Sequence, residues 1–227
     1  MRVGVIIPAH NEENSIGRVL SDLPKNQLAE IVVVNNNSSD NTASVAKNHG
    51  AIVLSENKKG YGWACLKGID YLVDKNIDVV VFLDGDYSDS PQEIKELLKP
   101  IRQGTFDFVL GSRVLGESQK GALLLHQRFG NKLATYLMRL LYDAKYTDLG
   151  PFRAIKYDAL IDLKMNDKTY GWTVEMQIKA VKKKLNYLEV PVSYKPRIGK
   201  SKVSGTIVGS FKAGFIILFW VFKSIFD

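Results

Sequence analysis

The chain has 227 residues, 45% of them hydrophobic, enough for one sizeable α/β core. A formal charge of +7 points to an anionic partner such as a membrane surface, a phosphorylated ligand or nucleic acid, and the last is disfavoured because no arginine-rich or aromatic RNA-binding motif is present. The single cysteine, Cys65, excludes an internal disulfide and a multi-cysteine zinc site, and the opening "MRVGVIIPAHNEE" shows no signal-peptide cleavage region, so a cytoplasmic setting is expected.

In chain order, "VGVIIP" (3–8), "EIVVVN" (30–35) and "DVVVFLD" (78–84) are continuous β-branched runs, expected of parallel strands covered on both faces. Helical stretches at 13–22, 40–48 and 61–75 alternate with them, which predicts a doubly wound sheet. Weaker strands follow at 51–55 and 106–111, with a helix over 91–102 opened by Pro91. In the second half, 123–142 reads as an amphipathic helix and 187–197 as a last strand. No repeat or linker demands a second domain, so residues 1–204 are expected to form one domain, followed by a C-terminal helix at 205–227. Ligands of such sheets gather beyond the carboxyl ends of the strands, which here read "PAHNEE", "NNNSSD", "SENKKGYG" and "DGDYSD".

Asp84 and Asp86 are the most suggestive residues at those ends. Alternate positions on an extended backbone send both carboxylates to the same side, where they could hold Mg²⁺ or Mn²⁺ with phosphate oxygens and waters completing the shell. The plainer alternative is a pair of solvated loop carboxylates. Asn36 carries a donor and an acceptor and could pair with the edge of a nucleobase, whereas Asp40 reads as a helix cap. Lys58, Lys59, Gly60 and Gly62 make a small basic turn before a helix, suited to an anionic ligand. Arg113, Arg128, Arg197, Lys200 and Lys202 add cations, each of which singly could be an ordinary surface charge.

Taken together, "PAHNE", "NNNSSDNT", "KKGYGWACLKG", "DGD", "GSR", "TDLGPFRA" and "EVPVSYKPRIGKSK" occur in an order that resembles family 2 glycosyltransferases over residues 2–204, with the dolichyl-phosphate mannose and glucose synthase-like branch nearest in pattern. The resemblance implies a GT-A fold with a mainly parallel sheet, a nucleotide-sugar donor, a divalent cation at the D-x-D and inversion at the anomeric carbon. By position it places Pro8, Ala9, Asn11, Glu12, Asn36, Lys59 and Gly60 around the nucleotide, and Asp84 and Asp86 at sugar and metal, with Asp86 the direct ligand. It sets Arg113, Arg128, Arg197 and Lys200 near the donor diphosphate and acceptor phosphate, with Lys202 a further candidate cation for the acceptor phosphate, and leaves Glu175 as either a catalytic acidic residue or a helix-surface glutamate. Two departures stand out: Asn35 to Ser38 replaces the "DDGS" of many relatives, and Ser88 stands where many carry glutamine. The expected reaction moves a hexose from a nucleotide-sugar, UDP-glucose ahead of GDP-mannose on the Asn36 argument, to a polyprenyl or dolichyl phosphate. Transfer to a hydroxyl, or sugar-nucleotide binding without catalysis, are the alternatives.

The tail contains ten residues from Ala213 to Phe222 without a charge, against the roughly 20 that span a bilayer. On a helix, Gly205, Gly209, Lys212 and Lys223 share one face and Phe211, Phe215, Leu218, Phe222 and Ile225 the opposite one. That pattern, with Trp220, suits a peripheral helix on the cytoplasmic face of a membrane; packing on the domain or on a membrane-anchoring subunit is the other reading, and 123–142 invites the same pair.

Overall fold

The computed structural model describes residues 1–199 and 207–225. Lys200, Lys202 and Gly205, and the side chain of Phe211, lie outside what it describes. The β-branched runs form strands β1 (Val3–Ala9), β2 (Glu30–Asn35), β3 (Ile52–Ser55) and β4 (Val79–Phe82), all mutually parallel where they pair. Helices α1 (Ile16–Asp22), α2 (Thr42–Asn48) and α3 (Tyr61–Leu72) connect them within a few residues of the expected positions. A 3-10 turn at Pro91–Glu93 leads into α4 (Ile94–Arg102), followed by β5 (Phe108–Ser112) and α5 (Leu125–Tyr142).

Three elements were not legible as such: β6 (Arg153–Lys156), α6 (Tyr157–Asp162) and the full span of α7 (Trp172–Lys182). β6 lies antiparallel between β4 and β5, and β7 (Tyr187–Pro191) runs parallel to β5, giving the seven-stranded order β3-β2-β1-β4-β6-β5-β7. β7 stops at Pro191 rather than continuing to 197; Tyr194 beyond it makes single bridges to Asp89 and Ser118 instead of a ladder.

Alternation along the strands builds two apolar layers. Ile6, Val32, Phe82 and Phe108 meet α3, α5 and α7 on one face, while Val5, Val33, Val81 and Val109 meet α1, α2 and α4 on the other. The last helix, α8 (Ile207–Lys223), packs on α5 and α7 and sends Trp220 and Val221 into the first layer. Trp220 is therefore core, not the interfacial residue expected from the sequence, and Phe215, Phe219, Phe222 and Ile225 are exposed apolar side chains of this segment. No described helix is long and apolar enough to cross a membrane.

Candidate active site

A cleft of about 340 Å³ opens where β1, β2 and β4 end and α3 begins. Eight of the residues expected at the donor and metal line it: Pro8, Ala9, Glu12, Asn36, Lys59, Gly60, Asp84 and Asp86. Arg197 joins them, together with His10, Tyr61 and Tyr170, none of which the sequence singled out apart from Arg197.

β4 ends at Phe82 and the chain turns through Asp84 to Asp86 beneath the cleft. Asp86 Oδ1 accepts hydrogen bonds from the Ser88 amide at 2.9 Å and the Ser88 hydroxyl at 2.6 Å, which fixes the carboxylate and leaves Oδ2 facing Arg197. Asp84 Oδ1 is buried without a partner, as are both oxygens of Asp89. Burial, then the charge of Asp86, pushes the Asp84 carboxyl up to about 7, and burial followed by the charges of Asp84 and Asp86 raises Asp89 in the same direction. Three buried oxygens of Asp84 and Asp89 left without a partner beside the Asp86 carboxylate are unfavourable unless a cation arrives. A hard divalent cation with two protein carboxylates and the rest of its shell from phosphate and water fits this donor set. Among the described residues no group of three or more His, Cys, Asp or Glu side chains is arranged to hold a metal ion by itself.

Arg197, expected near an acceptor phosphate, reaches into this cleft. Its guanidinium pairs with Glu12 at 2.8 Å and with Asp86 at 3.2 Å. The Ile198 and Lys195 amides donate to the carbonyls of Asp86 and Ser88, so segment 195–198 lies along the D-x-D turn. Lys200 and Lys202 follow, outside the described residues.

Asn36 is in the cleft but its amide is engaged. Nδ2 donates to the carbonyls of Lys58 at 2.7 Å and Glu56 at 3.2 Å, and Oδ1 accepts from the Gly60 amide at 2.9 Å. The side chain ties down the basic turn instead of offering both edges to a base, which removes the argument that favoured uracil. His10 Nδ1 lies 2.8 Å from the Asn36 carbonyl and belongs to the same wall. Asn11 does not line the cleft; with a left-handed backbone (φ 56°) it turns its Oδ1 to the Ser39 amide and braces the 38–39 turn.

The turn at Gly60 is pressed against segment 166–171. A Cβ at Gly60 or Gly62 would stand 2.1 Å from the carbonyl oxygen of Lys168 or Asp167, so only glycine permits this approach, and Gly60 also has φ +150°. Amides 62 and 63 donate to the carbonyls of Thr169 and Lys168, and the same segment carries Tyr170 into the cleft wall. Glu175 is the anchor of that segment. Fully buried, it accepts from the Asn166 and Asp167 amides, each at 2.8 Å, and pairs with Lys179 at 2.7 Å. It is neither a surface glutamate nor a cleft residue. Asp167 in turn accepts from the amides of Thr169 and Gly171 and from the Trp220 indole N–H of α8.

Arg113 does not line the cleft either. Two 2.7 Å bonds join it to both oxygens of Asp148, and it stacks 5.0 Å from the Tyr194 ring centroid, next to the D-x-D segment through the Tyr194 bridge to Asp89. Arg128 sits exposed on α5, away from the cleft-lining set. The structure adds Arg153, fully buried on β6, donating to the carbonyls of Gly150 and Thr173. Burial lowers it to about 10, still charged at neutral pH.

A doubly wound sheet with a two-carboxylate turn at its carboxyl edge has the GT-A glycosyltransferase architecture. The chain belongs to glycosyl transferase family 2, whose family model matches residues 4–164. It is 34% identical over 223 residues to an uncharacterised glycosyltransferase of Mycobacterium tuberculosis, covering 96% of each chain. Over 228 residues it is 30% identical to the undecaprenyl-phosphate mannosyltransferase of Micrococcus luteus, covering 92% of this chain and 90% of that one. The crystal structure of glucosyl-3-phosphoglycerate synthase from M. tuberculosis, in complex with Mn²⁺, UDP and glucosyl-3-phosphoglycerate, matches with a TM-score of 0.79 over 98% of this chain and 79% of that chain. At 18% identity, that likeness establishes the fold.

Proposed function

We propose that this glycosyltransferase moves a hexose from a UDP-sugar, UDP-glucose first, to the phosphate of a polyprenyl phosphate, with inversion at the anomeric carbon. The observation that carries the reading is the convergence of Asp84, Asp86 and Arg197 in one cleft beside the Asn36 and Gly60 turn. Asp84 and Asp86 would hold a divalent cation, Mg²⁺ or Mn²⁺, which when bound neutralises charge on the diphosphate that leaves. Pro8, Ala9, His10 and the Lys59 to Gly60 turn would form the nucleotide's wall. Arg197 would release Asp86 and turn its fork to phosphate, a better geometric match than one oxygen of each of two carboxylates.

Proton accounting supports this acceptor class. Of the three carboxylates that line the cleft among the described residues, Glu12 is paired with Arg197 and the two aspartates would be taken up by the cation, which leaves none for deprotonating a hydroxyl. A phosphate monoester is already ionised and attacks without a base. The Micrococcus luteus relative, by its name, acts on undecaprenyl phosphate, which supports the lipid form. Uridine is supported by the UDP in the structurally similar synthase, no longer by Asn36. A hydroxyl acceptor is the competing reading, and His10, whose Nδ1 is turned to the Asn36 carbonyl with Nε2 remaining, is the side chain that would serve it. Purified protein with labelled UDP-glucose, GDP-mannose and other nucleotide-sugars, each with polyprenyl phosphate and Mn²⁺, should give an acid-labile glycolipid from a UDP-hexose. Product formed only on a sugar or glycerate hydroxyl, and lost in His10→Gln, would replace the lipid-phosphate reading.

A further inference from the structure

α5 and α8 each bury one side and hold large apolar side chains away from the domain. On α5, Ala134, Thr135 and Met138 face inward. Leu125, Phe129, Leu133, Tyr136 and Leu140 fall within about 80° of arc at 100° per residue, and all five are exposed, Leu125 by 85% and Phe129 by 71%. On α8, Trp220, Val221 and, just beyond, Ser224 are buried, whereas Phe215 at 72%, Phe219 and Phe222 point outward. The helices pack on each other. α8 is held in place by the Tyr142 hydroxyl on the Val221 carbonyl, the Lys182 ammonium on the Ser224 carbonyl and the Trp220 indole on Asp167. A clamped helix that still presents three phenylalanines to solvent is an unpartnered face, and contiguous apolar patches of this kind mark an interaction surface.

Charge identifies the partner. Neither helix contains an Asp or Glu, over 18 and 17 residues. Arg128, Lys132 and Arg139 flank the α5 stripe on one side, and Lys212 and Lys223 are exposed on α8, Lys223 lying 4.7 Å from the Trp220 ring centroid. A second copy would set the same cations against one another, which disfavours self-association. A bilayer with anionic headgroups accepts both parts: aromatic and leucine side chains enter the headgroup and acyl boundary, and the cations meet lipid phosphates. We infer that the α5–α8 face docks on an anionic lipid surface. This deepens the lipid-phosphate reading and rests on it for its purpose, since a docked enzyme meets an acceptor phosphate at the headgroup level. The docking itself is tested independently of transfer.

The test is co-sedimentation of the full chain with vesicles of phosphatidylcholine alone or with 30 mol% phosphatidylglycerol. The bound fraction should be high only on the anionic vesicles and fall steeply between low and high salt. The triple change Phe129→Glu, Phe215→Glu, Phe219→Glu should weaken binding by roughly tenfold or more, and Lys132→Glu with Arg139→Glu should flatten its salt dependence. All five positions are exposed, so thermal melts and UDP titrations should match the wild type. Wild type that stays with neutral and anionic vesicles equally little overturns the inference, as does a dimer in sedimentation equilibrium that the triple change dissociates. Transfer to a short, water-soluble isoprenyl phosphate separates the two ideas. Transfer without vesicle binding removes the docking face and keeps the acceptor chemistry, whereas vesicle binding with no transfer to any prenyl phosphate does the reverse.

Discussion

Asp86 is held from three directions: Ser88 fixes one oxygen, Arg197 meets the other, and the Ile198 amide rests on its carbonyl. Asp86→Ala removes a cation ligand and an anchor for Arg197 together, and transfer should fall by about a hundredfold or more. In the same variant Mn²⁺ should no longer raise the melting temperature, which a calorimetric scan with and without the ion checks. A pH dependence follows from Asp84. Its folded value near 7 lies above the ordinary 3.8, so the folded protein holds this proton more tightly than the unfolded chain. Stability from this group is fullest below about pH 4, is lost at up to roughly 1.4 kcal/mol per pH unit as pH rises towards 7, and is flat above. Asp89 shifts the same way. After chelation the melting temperature should therefore drop between pH 5 and 8, and Mn²⁺ should recover more of it at pH 8 than at pH 5. The site was legible where it depended on position along the chain, because strand ends of a doubly wound sheet converge whatever their side chains do. It was misread where it depended on partners distant in sequence: the Asn36 amide is taken up by the carbonyls of Glu56 and Lys58, and Arg113 by Asp148, pairings that no local pattern announces.

At the scale of elements, the donor wall is two segments held in contact by backbone. The start of α3 and segment 166–171 approach so closely that Gly62→Ala would place a methyl against the backbone of Asp167 and Lys168, which cannot yield as a flexible side chain would. We expect a loss of about 1–3 kcal/mol and weaker UDP binding as Tyr170 and the Gly60 turn separate. Gly130→Ala is the control: it lies on α5 with open space around it, and helix propensity predicts a gain of up to about 1 kcal/mol. Urea denaturation and UDP titration of the pair give both numbers. Glu175→Gln belongs with Gly62. It keeps the shape but weakens the hold on the Asn166 and Asp167 amides and on Lys179, so the donor KM should rise more than kcat falls. β6 escaped sequence reading for a related reason. A strand that opens with a buried arginine and holds a single β-branched residue lacks the β-branched run that revealed β1, β2 and β4, and only its neighbours on both sides make it a strand.

At the scale of the whole molecule α8 is packed into the domain, and the tail's sequence supported both a packed helix and an appendage because a helix can be either. Its apolar residues run all the way round: one side seals the core beside Trp172, and the other stays exposed. Trp220 separates these roles. Trp220→Ala removes a large buried ring from the layer under the sheet and should cost about 3–5 kcal/mol, a large fraction of the stability of an ordinary domain. Trp220→Phe keeps most of the ring but takes the N–H away from Asp167 Oδ2, leaving a buried carboxylate with the two backbone amides of Thr169 and Gly171. That should cost about 1–3 kcal/mol and loosen the segment that holds Tyr170 in the donor wall, so UDP affinity should fall while vesicle binding, carried by Phe215, Phe219 and Phe222 on the opposite side, is retained. Thermal melts, UDP titration and co-sedimentation on the one variant read the three quantities separately. Unchanged UDP affinity at reduced stability would make α8 a lid on the core alone, whereas reduced affinity would show that the helix facing solvent also sets the geometry of the donor cleft through Asp167.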